Sequence, residues 1–411
     1  MSKKIIAIIL TILTVVSVLS LASCGEEENS SEAVSGESKA ADESKADKNF
    51  KAGFICLHDE NSTYDKNFID GIKEAQAKLG LTDDQVIIVT NKPESNECYE
   101  AAADLVDQGC SVVFANSFGH ESFIIQAAKE FPDVMFCHAT GASAKAENLS
   151  NFHNAFASIY EGRYLAGVAA GMKLNEMIES GKITAEQAKM GYVGAFTFAE
   201  VISGYSSFYL GAKSVCPSVT MDVTFTGSWF DVTLEKNGAE KLINDGCVLI
   251  SQHADSMGAP GACEAAGVPN VSYNGSTKDA CPNTFIVSSR INWAPYFELM
   301  IKAAMGEGEL PTDWCGTLQT GSVVLTDVNT QAAAEGTQAK IDEVKAQLEA
   351  GTLHVFDVST FTVDGKALEG DYVKDGYFHE SDVALNISAP YFDVNIDGIT
   401  KLDENFGKPN N

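Results

Sequence analysis

Six short segments of this 411-residue chain place an aromatic ring beside an amide, a hydroxyl or a carboxylate. Each segment follows an apolar run with the length and composition of a β-strand. Aromatic faces can stack on a flat ring, and the polar neighbours can hydrogen-bond to its edges, so the pattern predicts a binding site for a flat polar ring. The segments are Tyr64–Asp65, Asn116–Phe118, Phe196–Phe198, Trp229–Asp231, His253–Asp255 and Tyr273–Asn274.

Some of these aromatic side chains have a second interpretation. Phe118, Phe196, Phe198 and Phe230 could belong to the hydrophobic core instead of a binding surface, and the sequence leaves both interpretations open.

Motifs for catalysis are missing from the sequence. It contains no nucleotide-phosphate loop, no GxSxG and no HExxH. The pairs His120–Glu121 and His253/Asp255 could in principle be metal ligands or an acid–base pair. Because the seven histidines are scattered singly, ordinary hydrogen-bonding residues are the favoured interpretation. We therefore predict a binding protein with no catalytic residues, no metal site and no cofactor.

Strands and helices alternate in two series, which predicts an α/β fold of parallel βαβ units. The length favours two lobes, and the crossovers between the series predict a hinge. We expect one lobe at about residues 50–165 plus a later segment, and the other at about 185–290 plus a C-terminal segment. The strands are predicted at 53–57, 86–89, 111–115, 134–137, 190–193, 219–225, 247–250, 270–273 and 285–287.

Residues 226–256 show the pattern most fully. Asp231 is a plausible N-cap for an amphipathic helix, and Cys247–Ile250 is a short apolar run typical of a buried parallel strand. A polar loop over residues 252–256 should follow. Polar loops at the carboxyl ends of parallel strands are where open α/β sheets bind ligands. Further on, we predict helices at 291–305 and 330–350 and a terminal strand pair within residues 354–363.

The N-terminus has the features of a secretory signal. Lys3 and Lys4 precede an apolar run that ends in Leu21-Ala-Ser-Cys24. This ending resembles a bacterial lipobox, which predicts a signal peptide over residues 1–24 and acylation, including palmitate, at Cys24. Residues 25–49 are acidic and poor in large apolar side chains, as in a disordered tether. The alternative is an uncleaved membrane anchor.

Charge and cysteine content narrow the class further. The net charge of −29 disfavours binding to nucleic acid. Of the ten cysteines, those at positions 56, 110, 137 and 247 lie in apolar runs and should be buried. Cys263 and Cys281 lie in loop-like stretches and could form a disulfide.

Several segments, in matching order from Lys51 to Asp327, resemble signatures of the BMP (basic membrane protein) family of substrate-binding lipoproteins. The segments are SFGHES, ATGASAKAENLSNF, YEGRYLAGVAAG, GYVGAFTFAEVISGYSSFYLGA, TGSWFDVTLEKNGAEKLINDGCVLISQHADS, SYNG and RINWAPYF. The first loop departs from the Gly-Gly and Asp-Lys-Ser-Phe-Asn pattern of many members. The QHADS segment resembles members associated with free purine bases more than those associated with nucleosides.

The resemblance implies a type I periplasmic-binding-protein-like fold that clamps a purine nucleoside or nucleobase between two lobes. By the same resemblance, Tyr64 and Trp229 would stack on the base. Polar contacts would come from Asp65, Ser117, His253, Asp255 and Asn274. Phe118, Phe198 and Phe230 complete the set of ligand-binding residues that we predict.

The expected function is that of an extracytoplasmic, lipid-anchored, monomeric receptor that delivers a purine to the permease of an ABC importer. Two alternatives remain open from the sequence. One is a sensory receptor that presents its ligand to a membrane kinase, and the other is a nucleoside-processing enzyme.

Overall fold

A computed structural model describes residues 49–380 and 388–403. The predicted signal peptide, Cys24 and all of the predicted tether except Asn49 lie outside the described residues. Within the described ranges, no helix is both long enough and apolar enough to cross a membrane.

The first half of the chain is a βαβ series whose strands are short and, apart from the half-buried β2, largely buried. Its elements are β1 (Ala52–Ile55), α1 (Thr63–Leu79), β2 (Val86–Val89), α2 (Asn96–Asp107), β3 (Val112–Ala115), α3 (Glu121–Glu130), β4 (Met135–Ala139), α4 (Ala144–Glu147), β5 (Phe152–Ala157) and α5 (Ile159–Glu179).

The second half repeats the pattern and adds a C-terminal region. Its elements are β6 (Lys189–Gly194), α6 (Ala199–Val215), β7 (Thr220–Phe225), α7 (Val232–Asn244), β8 (Leu249–His253), α8 (Gly258–Ala266), β9 (Asn270–Tyr273), β10 (Phe285–Ile291), α9 (Ala294–Ala304), β11 (Asp313–Gly316), β12 (Val323–Leu325), α10 (Thr337–Glu349), β13 (Val373–Lys374), β14 (Tyr377–Phe378) and β15 (Ile399–Asp403).

Each series forms its own sheet, and the two sheets share one strand order. The first sheet runs β11-β5-β4-β3-β1-β2 and the second β12-β10-β9-β8-β6-β7-β15. Within these two sheets, every pairing among the described residues is parallel except that of β10 with β12. In both sheets the strand order reverses beside the first strand of the series. This reversal gives a topological switch point between β1 and β3 in the first sheet and between β6 and β8 in the second. The parallel α/β fold with two lobes is therefore confirmed.

We propose lobe boundaries that follow the two sheets. The first lobe would contain residues 50–165 and the later segment with α9 and β11. The second would contain residues 185–290 and the C-terminal segment.

Helix α5, which leads from the first series to the second, and helix α6, which follows β6, have backbones that lie unusually close together. A methyl group at Gly211 of α6 would overlap the main-chain oxygen of Tyr164 in α5. The main chains of the two helices are in contact at this point, so no change of side-chain rotamer could relieve a clash there. This contact fixes how the two helices cross.

Several sequence-based assignments need correction. β8 extends to His253, so Gln252 and His253 are strand residues and the loop begins only at Ala254. The predicted terminal strand pair is wrong: the small hairpin is formed by β13 and β14, and Val363 makes only an isolated bridge to Lys366. Strands β5, β11, β12 and β15 are absent from the predictions. Asp231 does cap its helix, since its carboxylate accepts hydrogen bonds from Thr233 N and Leu234 N.

The cysteine assignments have a mixed outcome. Cys56, Cys110, Cys137 and Cys247 are buried, as predicted. Cys263 and Cys281 are both free thiols, and Cys263 lies on helix α8 instead of a loop.

The close helix crossing generates a stability prediction. Gly211→Ala should lower the free energy of unfolding by about 1–3 kcal/mol, because the added methyl group has no room. Gly261→Ala is the matched control: this glycine lies on α8 with open space around it, so the change should be neutral or stabilising by up to about 1 kcal/mol. Urea unfolding without ligand measures both. Equal stability of the two variants would contradict the close approach.

Candidate functional site

A narrow cleft lies between the carboxyl ends of the two sheets, with ≈ 340 Å³ of empty space that includes open solvent. Polar and aromatic residues from both lobes line it, and they come from the ends of β1, β3 and β4 in the first lobe and of β6 to β9 in the second. This is the position at which open parallel sheets bind ligands, here with two switch points facing one space. The lining residues are Leu57, Tyr64, Ser117, Phe118, Thr140, Glu200, Trp229, His253, Asp255 and Tyr273.

Aromatic rings from opposite lobes form part of the wall. Tyr64 lies at the start of α1, and its hydroxyl donates a 2.6 Å hydrogen bond to the main-chain oxygen of Asn116. Its ring also packs edge-on against Phe68, at 4.8 Å between centroids. Trp229 lies in the loop after β7, with its ring edge-on to Phe196 at 4.9 Å. Both rings are partly exposed, so each keeps surface available within the cleft.

Two phenylalanines meet at the rim of the cleft. Phe118 and Phe198 come from different lobes and stack with 5.2 Å between centroids and 28° between planes. They remain 46% and 40% exposed, so they are not core residues. Phe196 stacks on Phe198 at 5.1 Å and links this pair to Trp229. Phe230 lies close to His58, at 5.4 Å between rings, and does not line the cleft.

Main-chain hydrogen bonds also join the lobes. Asp255 O accepts from Thr63 N at 2.9 Å and from the Thr63 hydroxyl at 3.2 Å. Together with the Phe118–Phe198 stack, these contacts show the lobes touching across the cleft.

Asp65 lies beneath the cleft and organises the loop after β1. Its carboxylate accepts from His58 N at 3.1 Å and from the Asn116 amide at 2.7 Å. Burial opposes ionisation, but the hydrogen bonds from His58, Asn116 and Ser62 outweigh it, so the pKa of Asp65 lies below its usual value. Asp65 therefore positions the loop and does not itself line the cleft.

The polar wall of the second lobe contains a histidine and two carboxyl groups. His253 Nε2 lies 3.5 Å from Glu200 Oε1. Burial lowers the pKa of His253 against the opposing effect of Glu200, which favours the neutral ring. Burial also raises the pKa of Asp255 well above its usual value, and the nearby carboxyl groups of Glu235, Asp65 and Glu200 add to the shift.

Asn274 and Ser117 flank this wall. Asn274 directly follows β9 with φ 65°, and its amide nitrogen is buried without a hydrogen-bond partner, although it lies near the Asp255 carboxyl. The Ser117 hydroxyl lines the cleft but already donates to Glu94 at 2.6 Å.

Sequence reasoning missed four lining residues: Leu57, Thr140, Glu200 and Tyr273. Each lies at or shortly after the carboxyl end of a strand, and that position is the signal that could have found them. Tyr273 was recognised as part of a polar aromatic segment but not as a site residue. Among the described residues, no group of three or more His, Cys, Asp or Glu side chains could hold a metal ion.

Glu235 joins the two loops that contain Trp229 and Asp255. This fully buried carboxyl group accepts from Asp231 N at 3.1 Å and from Ser256 N at 3.1 Å. Burial raises the pKa of Glu235 to about 7, against the opposing hydrogen bonds from Ser256 and Asp231.

This shift predicts a pH-dependent stability. Between pH 4.5 and 7 the unfolded chain ionises Glu235 while the folded chain keeps the proton, so the free energy of unfolding should fall as pH rises through this window and level off above it. Glu235→Gln keeps an acceptor for both N–H groups and should remove on the order of 2–3 kcal/mol of that fall.

Thermal unfolding from pH 4.5 to 8 checks this prediction. Glu240→Gln, on the exposed face of the same helix, is the matched control and should leave the wild-type profile unchanged. An unchanged profile in Glu235→Gln would mean that the carboxyl group ionises normally in the fold.

Comparison with known proteins identifies the family of this chain. A family model described as "ABC transporter substrate-binding protein PnrA-like" (Bmp) matches residues 56–352. A purine-binding protein of Brucella abortus is 29% identical over 76% of this chain and 84% of its own length. A putative ABC-transporter glucose-binding protein of Haloferax volcanii is 30% identical over 63% of this chain and 61% of its own length.

A solved structure supports the fold. The solute-binding protein of an ABC transporter system from Conexibacter woesei superposes with a TM-score of 0.60 at 20% identity, over 74% of this chain and 98% of its own. The matched family consists of extracytoplasmic solute-binding proteins and not of enzymes. This chain therefore belongs to the Bmp family of PnrA-like ABC-transporter substrate-binding proteins.

Proposed function

We propose that this protein captures a purine base or purine nucleoside between its two lobes and delivers it to an ABC importer. The observation that carries the proposal is the pairing of Tyr64 from the first lobe with Trp229 from the second across one small cleft. A purine offers two apolar faces for such rings, and stacking on an aromatic side chain is worth about 1–3 kcal/mol per base.

The polar wall supports the same ligand class. Asp255, Glu200 and Asn274 come from the second lobe and can hydrogen-bond to the edges of a ring or to a ribose. The purine-binding relative from Brucella abortus supports the assignment, and the putative glucose-binding relative makes a sugar the competing ligand to test.

Trp229 gives the sharpest test of the proposed ligand. Trp229→Ala should weaken purine binding by roughly one to two powers of ten, because one stacking face is lost and each 1.4 kcal/mol is tenfold. Trp229→Phe should keep most of the affinity. Calorimetry with adenine, hypoxanthine, inosine and glucose measures the effect.

Fluorescence adds a control within the same chain. Its three tryptophans are Trp229, Trp293 and Trp314, and Trp293 is buried against Phe68. Purine binding should quench the emission, Trp229→Phe should abolish most of the quench, and the control Trp314→Phe should retain it. Binding of glucose with no binding of any purine would overturn the proposed ligand.

We further propose that the mature protein is a lipid-anchored monomer on the extracytoplasmic face of the membrane, held through Cys24. The support is the Leu21-Ala-Ser-Cys24 sequence after an apolar run. Acyl chains supply membrane affinity that the rest of this acidic chain would not provide.

The anchor has its own test in a bacterial host. Cys24→Ala should move the protein from the membrane fraction to the soluble fraction and abolish incorporation of labelled palmitate. Cys315→Ala, which leaves the lipobox intact, should change neither. A Cys24→Ala protein that still sediments with membranes would rule out acylation at this residue as the anchor.

Delivery to a permease separates an importer from a sensory receptor. Deleting the gene should reduce uptake of labelled purine by intact cells if the protein serves an importer. Normal uptake with a lost transcriptional response to purine would favour the sensory alternative.

A further inference from the structure

Thr140 has a backbone conformation that its side chain disfavours. It directly follows β4, at the carboxyl end of the first sheet, and its φ is +68°. A β-branched residue rarely adopts this left-handed region, which glycine and asparagine adopt more readily. Strained residues persist only where the surrounding structure holds them, and they cluster at functional sites.

Hydrogen bonds on both sides hold the Thr140 backbone in place. Thr140 N donates to Ala155 O at 3.1 Å. Just beyond, Ser143 N donates to the Glu121 carboxylate at 2.8 Å, and Ala144 N donates to the Asn154 side chain at 2.7 Å. These bonds fix the main chain of the loop without using the Thr140 side chain.

The neighbouring residue is a glycine, and its surroundings are crowded. A methyl group at Gly141 would overlap the side chains of Asn154, Glu121 and His138, so only glycine fits there. At Thr140 the backbone itself favours glycine, yet the chain has a hydroxyl-bearing side chain at this position. A purely structural account of the loop therefore leaves the choice of threonine unexplained.

The Thr140 hydroxyl is buried in the wall of the cleft and has no hydrogen-bond partner. The residue is 3% exposed and lines the cleft. The other two hydroxyl groups that the first lobe places in the lining are already engaged: Tyr64 donates to Asn116 O and Ser117 donates to Glu94. A buried hydroxyl without a partner is uncommon and calls for one, which a bound ligand could supply.

We propose that Thr140 is a ligand-binding residue whose hydroxyl donates a hydrogen bond to an acceptor on the edge of the bound ring. Glu200 and Asp255 stand on the wall of the other lobe, where carboxyl oxygens can accept hydrogen bonds from ligand N–H groups. Thr140 adds the complementary donor, which an unprotonated ring nitrogen requires. This inference rests on the proposed purine ligand and deepens it, because it makes one ring nitrogen a specificity determinant.

Substitutions at Thr140 separate the hydroxyl from the backbone strain. Thr140→Val keeps the shape and the strain but removes the donor, so affinity for adenine should fall about tenfold. Thr140→Ser keeps the donor and should bind within about twofold of wild type. Thr140→Gly relieves the strain, so the melting temperature without ligand should rise while the affinity falls.

Ser206→Ala is the matched control. Ser206 also has a buried hydroxyl without a partner, but it lies on α6 and does not line the cleft. This variant should bind adenine as the wild type does. Equal weakening in Ser206→Ala and Thr140→Val would mean that a general change in the fold, and not a lost ligand contact, lowers the affinity.

Deaza analogues identify the acceptor. Wild type should bind one of 1-, 3- or 7-deazaadenine about tenfold more weakly than adenine, and Thr140→Val should bind that analogue and adenine equally. If wild type binds adenine and Thr140→Val binds it equally well, the role of Thr140 is overturned and the proposed function stands. If the wild type binds no purine, both the proposed function and this inference are wrong.

Discussion

The main chain of Asp255, through its N–H and its C=O, is the point on which the closed arrangement of the two lobes depends. Asp255 N donates to Trp229 O at 2.9 Å, while Asp255 O accepts from both the main chain and the hydroxyl of Thr63. One residue thereby links the end of β8, the loop after β7 and the first turn of α1. Since Tyr64 follows Thr63 in sequence, these bonds also fix the separation of the two rings proposed to hold the base. Opening the lobes must break the bonds to Thr63, and ligand contacts that exist only when the lobes are closed would compensate.

Electrostatics constrain what can enter the cleft. The chain has a net charge of −29, and the wall of the second lobe contains the carboxyl groups of Glu200 and Asp255, of which Asp255 has a pKa well above its usual value. The buried cation near this wall is Arg163, whose guanidinium lies 5.2 Å from the Tyr273 ring centroid and donates to Tyr192 and Ser251. The charge of the Arg163 guanidinium therefore interacts with hydroxyl groups and an aromatic ring face beneath the wall, away from the ligand. We expect a neutral ligand rich in N–H donors to be favoured and a phosphorylated one to be repelled.

The parts of this site that could be predicted from the sequence are those with local signals. Asp231 caps α7 because its carboxylate accepts hydrogen bonds from free N–H groups in the first turn of the helix. An Asp directly before an amphipathic run is the sequence signal that predicts such a cap. Tyr64 and Trp229 lie in polar aromatic segments that follow strands, and the resemblance to the BMP family is what singles them out as the stacking pair. Thr140 could not be found in this way, since its strain and its unpaired hydroxyl depend on contacts with residues far along the chain. The extension of β8 through His253 depends likewise on residues elsewhere in the chain, since the buried Gln252 side chain accepts a 3.0 Å hydrogen bond from Asn270 Nδ2.

The C-terminal region beyond the family match contributes to the same geometry. It has an aromatic core of its own, in which Phe356 stacks on Phe392 at 4.0 Å and Phe378 packs edge-on against Phe392 at 4.9 Å. From this core the chain continues into β15, which pairs in parallel with β7. Without β15, the N–H and C=O groups on the outer side of β7 would lie at an open sheet edge. Because β7 ends only four residues before Trp229, pairing along its outer side also steadies the loop that holds this ring. The added segment thus supports the binding cleft from a distance, through the strand that leads into it.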